Sequence, residues 1–184
     1  MNIVLISGSL RKNSHNTNTL KALEAHFDAR VSPTYVSIDL PLYNEDLENS
    51  DALPDAVTTL RNAIANADGV IISTPEYNYA IPGTVKNALD WASRPPGNNR
   101  WKDKPVGIIG ASPSFTGTAR AQQMVKTCFL MVGARIFSGV QVLIASAHER
   151  FDANGELHDE ATQTMLKEYA EQFTDFVASV RSIT

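Results

Sequence analysis

The chain has 184 residues, 43% of them hydrophobic and 20% charged, with a formal net charge of −4. That length and balance suit one globular domain spanning residues 1–184, and the mild acidity speaks against the basic face that nucleic acid demands. No apolar run is long enough to cross a bilayer, and the lone Cys128 excludes an internal disulfide framework and any cysteine-rich metal site.

Residues 2–6 form a continuous apolar run, as a central parallel strand covered on both faces requires. They read as a first strand rather than a signal peptide, so a cytoplasmic location is expected. A loop of hydroxyls, amides and cations follows, from Ser7 to Thr17, feeding a helix over about 17–27 with Leu20, Leu23 and Phe27 inward and Asn16 as its N-cap. Residues 35–38 read as a second strand. An acidic loop, 39–52, carries Asp39, Glu45, Asp46, Glu48 and Asp51. Pro54 opens a helix with Leu53, Val57, Leu60 and Ile64 in helical period. Asp68-Gly69 turns into a third strand, 70–74, and Pro82 starts the next helix, with Val85, Ala88, Leu89 and Ala92 on one face.

Residues 93–104 are too rich in Pro, Gly, Asn and charge for regular structure. A fourth strand at 106–109 leads through a loop holding Ser112, Ser114 and Gly117 to a helix ending near Val132, with Gly133 as its C′ residue. Residues 140–144 read as a fifth strand, 151–157 as a small hairpin turning at Asn154-Gly155, and 159–181 as a final helix. Strands alternating with helices imply an α/β fold: a five-stranded parallel sheet with helices on both faces. With strand order 2-1-3-4-5, the loops leaving strands one and three face each other across the switch-point crevice.

That crevice has recognisable chemistry. Ser7, Ser9, Ser14 and Thr17 offer hydroxyls and Arg11 a cation at the start of a helix, where free N–H groups and the dipole favour an anion. No G-x-G-x-x-G and no Gly-Lys-Ser/Thr loop is present. The loop therefore reads either as a seat for a mononucleotide phosphate, most simply that of FMN, or as an ordinary polar loop before a capped helix. Opposite it, Pro75 and Pro82 stiffen a loop bearing Glu76, Tyr77, Asn78 and Tyr79, which suits a planar ligand.

Taken together, Gly8-Ser9-Leu10-Arg11-Lys12-x-Ser14-x-Asn16 and Pro75-Glu76-Tyr77-Asn78-x-x-x-Pro82-Gly83-x-x-Lys86-Asn87-x-x-Asp90-Trp91-x-Ser93-Arg94 resemble the NADPH-dependent FMN reductase family, which includes bacterial chromate and quinone reductases and related azoreductases. The resemblance implies a flavodoxin-like fold and non-covalent FMN. Ser9, Arg11, Ser14, Asn16 and Thr17 would hold its phosphate. Pro75, Glu76, Tyr77, Asn78 and Tyr79 would line the ribityl chain and ring, and Ser112, Ser114 and Gly117 would border the ring's far edge. It also implies a homodimer or a dimer of dimers, although Gln141 stands where relatives often carry an acid that helps the tetramer contact.

The implied activity is hydride transfer from NADPH or NADH to FMN, then two electrons to a quinone, chromate, an azo compound or free flavin. The cofactor carries that chemistry, so no catalytic side chain is named. Backbone N–H groups of residues 76–79 and the positive end of the next helix would tune the ring. Arg94, with Arg100, Lys102 and Lys104 nearby, would meet the extra phosphate of NADPH or simply lie on a solvated loop. Tyr43 and Asn44 would help cover the partner's flavin. Trp91 and Cys128 read as packing residues, and the four histidines lack ligand spacing, so no metal is expected. Two other functions use the same fold: an electron-carrier flavodoxin and a redox sensor without turnover.

Overall fold

A computed structural model describes residues 1–49 and 52–182, so Asp51 of the acidic loop lies outside the described residues. β1 (Asn2–Ser7), β2 (Ser32–Tyr35), β3 (Gly69–Ser73), β4 (Pro105–Ala111), β5 (Arg135–Ile136) and β6 (Leu143–Ile144) make one parallel sheet. Its order is β2-β1-β3-β4-β5, with β6 also against β4, which is the expected 2-1-3-4-5 arrangement.

The apolar runs are continuous because each strand serves two cores. Val4 and Ile6 of β1 pack with Val70 and Ile72 of β3 on one face. That face is covered by α3 (Asp55–Asn66), α4 (Gly83–Ser93) and α5 (Ala119–Met131). Ile3 and Leu5 point the other way, toward α1 (His15–Glu24) and α6 (Glu160–Arg181). At β4 the second face is so close to α6 that a Cβ on Gly107 would collide with the Tyr169 hydroxyl and the Phe173 ring.

Four expectations need correction. α1 begins at His15 and its cap is Ser14, whose Oγ accepts the Asn16 N–H at 3.2 Å. Asn16 is not the cap because its amide is committed elsewhere. β2 comes earlier than residues 35–38. The chain still runs beside β1 at Val36, whose N–H reaches Leu5 O, and Ile38 drops into the core. The acidic loop contains a short helix, α2 (Glu45–Glu48), capped by Asn44. Finally, the fifth strand position is filled by two short pieces. After β5 the Phe137 ring turns into the core, edge-on to Tyr169 at 5.2 Å and to Phe173 at 5.6 Å, and the chain rejoins β4 as β6.

The segment 93–104 is irregular, as expected, and is pinned from below. Buried Arg61 donates to Trp91 O and Asn98 O. Trp91 and Trp101 are both core residues. Lys104 Nζ donates to Ala67 O beyond the end of α3, and burial pulls its ammonium below the usual lysine range. The hairpin forms as well, with Phe151 bridged to Leu157 and Gly155 at φ 83°.

Candidate functional site

Three loops leave the carboxyl ends of β1, β3 and β4 and enclose a cleft of about 360 Å³. Its walls are Ser9, Arg11, Ser14, His15 and Asn16 on one side, Pro75, Glu76 and Tyr77 on another, and Ala111, Ser112 and Pro113 on the third. The crevice therefore stands where the strand order predicts it.

The first loop is tied to its neighbours by a few bonds. Gly8 N–H reaches Ser73 O at 2.8 Å and Thr84 Oγ1 donates to Gly8 O at 2.7 Å. The approach is close enough that a Cβ on Gly8 would lie 2.8 Å from Val85 Cγ2 and 2.9 Å from Pro75 Cδ. Asn16, 3% exposed, is the deepest tie. Its Nδ2 donates to Ala111 O at 3.0 Å, and its Oδ1 accepts from Ala111 N–H at 3.0 Å and from Ser73 Oγ at 2.9 Å. One amide thus joins the first turn of α1 to the ends of β3 and β4. Thr17 is also turned inward, its hydroxyl donating to Ser7 Oγ at 2.8 Å.

The hydroxyls of Ser9 and Ser14 behave differently. Each accepts a backbone N–H, from Arg11 at 3.3 Å and from Asn16 at 3.2 Å, which leaves each O–H proton to donate toward the cleft. Arg11 is exposed and, among the described residues, has no acidic partner. His15, unassigned by sequence reasoning, stands at the first position of α1 and lines the same cleft. Burial, then the nearby charges of Arg11 and His148, hold its imidazole below the ordinary value of 6.5, and its buried Nδ1 has no partner. Its place between Ser14 and Asn16, in the polar loop after the first strand, was the signal available in the sequence.

The second loop ends in a tight turn. Tyr77 and Ala80 exchange backbone hydrogen bonds at 3.2 and 3.0 Å, while Asn78 and Tyr79 take φ of 51° and 63°. Two consecutive left-handed residues make a turn of the I′ kind, which glycine fills most easily. Here Asn tolerates the region and Tyr is strained in it. Of the N–H groups expected to face a ring, that of Tyr77 is therefore spent inside the turn. Glu76 fixes the loop to α5: its Oε2 accepts the Arg120 and Ala121 N–H groups at 2.9 and 3.1 Å, and its Oε1 pairs with Arg120 Nη1 at 3.3 Å. That carboxylate supplies the cap that Thr118, left-handed at φ 70°, does not. The same Arg120 lies 4.2 Å over the Tyr79 ring.

The remaining expected residues sit outside the cleft walls. Asn78 and Tyr79 form the exposed turn tip, Ser114 Oγ lies 3.3 Å from Thr116 Oγ1, and Gly117 is packed against Leu143. Arg94, Tyr43 and Asn44 gather in a separate knot. Arg94 Nε donates to Glu48 Oε2 at 3.1 Å and to Tyr43 Oη at 3.2 Å, Tyr43 Oη donates to Glu48 at 2.6 Å, and Asn44 caps α2. These side chains strap residues 43–48 to the end of α4, so the solvated-loop reading of Arg94 is replaced by an internal ion pair. No cluster of metal-ligating side chains exists among the described residues.

Known proteins are similar to this chain in sequence and in fold. The NADPH-dependent FMN reductase family profile matches residues 1–149. A 2-hydroxy-1,4-benzoquinone reductase from Burkholderia sp is 36% identical over 182 residues, covering 98% of each chain. An NAD(P)H-dependent FMN reductase of Pseudomonas aeruginosa is 37% identical over 177 residues, covering 96% of this chain and 95% of its own. Among solved structures, the flavoenzyme NAD(P)H:(acceptor) oxidoreductase FerB from Paracoccus denitrificans superposes with a TM-score of 0.88 at 38% identity, covering 97% of both chains. Fold and sequence agree, and the chain belongs to the NADPH-dependent FMN reductase family.

Proposed function

We propose that the chain is an FMN-dependent NAD(P)H oxidoreductase that delivers two electrons to a quinone. The observation that carries this reading is the cleft itself: an anion seat on α1 faces a stiff aromatic turn across the switch point.

The donor set fits a flavin mononucleotide. Ser9 and Ser14 would donate their hydroxyls to the phosphate, Arg11 its guanidinium, and His15 and Thr17 the first-turn N–H groups that an α-helix leaves unpaired. Asn16 would hold that turn in place through three of its four amide bonds and would offer its second Nδ2–H, which those bonds leave over, to the phosphate. Pro75, Glu76 and Tyr77 would line one side of the ring, Asn78 and Tyr79 its turn edge, and Ser112, Ser114 and Gly117 the far border. Bound FMN would supply the redox chemistry, taking a hydride from NADPH or NADH and reducing the acceptor. The protein's part is to orient the ring and keep the site shaped. Arg120 and Glu76 do so by fixing the turn from α5.

A quinone is the acceptor class we assign, because relatives along nearly the whole length carry that name. Chromate, azo compounds and free flavin belong in the same acceptor assay. Leu10, Tyr77, Tyr79 and Phe115 leave large apolar surfaces around the cleft mouth, which supports a homodimer closing over it. A cytoplasmic site of action fits; no described helix is long and apolar enough to cross a membrane.

The test is an anaerobic visible spectrum of the protein with FMN, before and after NADPH. Bleaching of the oxidised band, reversed by a quinone, is expected. FMN that binds and stays oxidised would make the chain a carrier or sensor. No FMN binding would end the phosphate-seat reading.

A further inference from the structure

The surface stays concave beyond the phosphate end of the cleft. A groove of about 270 Å³ runs between the 11–15 loop and the 151–155 turn, and it shares Arg11 and His15 with the cleft. It opens through Asn18, Lys21, Asn154 and Gly155 into a wider hollow of about 490 Å³ between α1 and the hairpin. The three spaces form one path along α1.

Charge singles out the groove. Arg11, Lys12 and Lys21 line it, and among the described residues none of them is ion-paired. Of the cations elsewhere in a chain of net charge −4, Arg30, Lys86, Arg94, Arg120, Arg135 and Arg150 hold acids, whereas the groove gathers three cations that hold none. The one carboxylate on the groove floor, Asp152, is occupied by the N–H groups of Asn154 and Glu156, both at 2.8 Å. Phe151 and His15 put two rings side by side, 5.8 Å apart, at the junction with the cleft. Asn18 and Asn154 add amides, which pair readily with purine edges.

We propose that this groove holds the adenylate half of FAD, so that the chain takes the dinucleotide flavin as well as FMN. The inference rests on the flavin reading of the cleft. A nucleotide continuing from the flavin phosphate needs an exit past that phosphate, cations for a second phosphate, and a polar pocket for a base. Arg11 and His15 stand where the groove leaves the cleft, Lys12 and Lys21 line its walls, and Asn18, Lys21 and Asn154 border the wider hollow beyond.

The experiment is a flavin-fluorescence titration of the apoprotein with FMN and FAD, using wild type and Lys21→Glu. Lys21 is exposed and lies outside the flavin cleft, so the variant keeps its fold and its FMN site. FAD is expected to bind wild type at least as tightly as FMN. Lys21→Glu should weaken FAD about tenfold and leave FMN within about twofold, the scale of one reversed charge near a phosphate. Equal losses for both flavins, no loss for either, or FAD binding about a hundredfold weaker than FMN would each overturn the proposal. So would a raised KM for NADPH in FMN-loaded Lys21→Glu with FAD affinity unchanged, because the groove would then read the nicotinamide nucleotide. If FMN itself fails to bind, the flavin reading falls with it; if FMN binds and FAD does not, this inference alone falls.

Discussion

Replacing Asn16 by Ala removes the amide that joins α1 to β3 and β4. Three groups lose their partner: Ala111 N–H, Ala111 O and Ser73 Oγ. An orphaned buried polar group costs about 1–3 kcal/mol. The Ser73 hydroxyl rotates to another acceptor, and cleft water reaches part of the gap because Asn16 lines the cleft. The two backbone groups of Ala111 then dominate, for a loss of about 3 kcal/mol. In a chain of this size that corresponds to about 6–12 °C in Tm. Thermal and urea unfolding followed by circular dichroism would measure it. Asn16→Asp refines the reasoning. Its carboxylate still accepts from Ala111 N–H and Ser73 Oγ, but its second oxygen faces the Ala111 carbonyl and donates only when protonated. The folded state therefore raises the pKa of the new acid. Its contribution to stability is present at low pH and is lost as pH rises. A Tm for Asn16→Ala within about 2 °C of wild type, or an Asn16→Asp variant that gains nothing on acidification, would refute the strap.

Other outcomes follow from the same geometry. Arg11→Ala should weaken FMN about tenfold while leaving riboflavin, which lacks the phosphate, nearly unchanged; equal losses in a titration would remove Arg11 from the phosphate seat. Glu76→Ala leaves the first turn of α5 without its cap and should cost about 1 kcal/mol in urea unfolding, together with weaker FMN binding as the turn loosens. For His15 the folded pKa lies below 6.5, so between that lower value and 6.5 the unfolded chain binds more protons. Stability of the apoprotein should fall as pH drops through that window, and His15→Gln should flatten the Tm–pH slope; an unchanged slope would count against it. Lys104 behaves in the same sense at alkaline pH. Its folded pKa is below 10.5, so its part of the stability grows as pH rises toward 10.5, and Lys104→Met should abolish that rise in alkaline unfolding curves.

What the sequence discloses depends on how local the cause is. The two-sided strands were readable because Ile3-Val4-Leu5-Ile6 and Val70-Ile71-Ile72 have no polar break, and the start of α4 because Pro82 and Gly83 end the preceding loop. The place of Ser9, Arg11 and Ser14 on one cleft wall was readable because a polar loop leaving a central strand for a helix opens at the switch point. Asn16 was placed in the right turn but given the wrong task. Ser and Asn cap equally well, and its true partner lies 95 residues away. Glu76 was read only as a cleft residue, and the reach of its carboxylate to α5 across 44 residues was not legible. The split of the last strand hangs on where the Phe137 ring goes, which depends on α6. Arg94 found Glu48 through a helix that the acidic composition of residues 39–52 concealed.

The turn at Asn78 and Tyr79 bears on any effort to improve this protein. Tyr79, left-handed without being glycine, carries a conformational cost of about 1–2 kcal/mol that Asn78 largely escapes. The substitution Tyr79→Gly would relieve the backbone and raise the melting temperature, yet it would free Arg120 from the ring it covers and slacken the loop at the cleft wall. A screen that selects survivors of heating alone would therefore drift toward that substitution and erode the site it was meant to preserve. Selection that couples heat to flavin retention would hold Tyr79 in place and push improvement elsewhere, into segments such as 137–142, where the sheet edge is already interrupted.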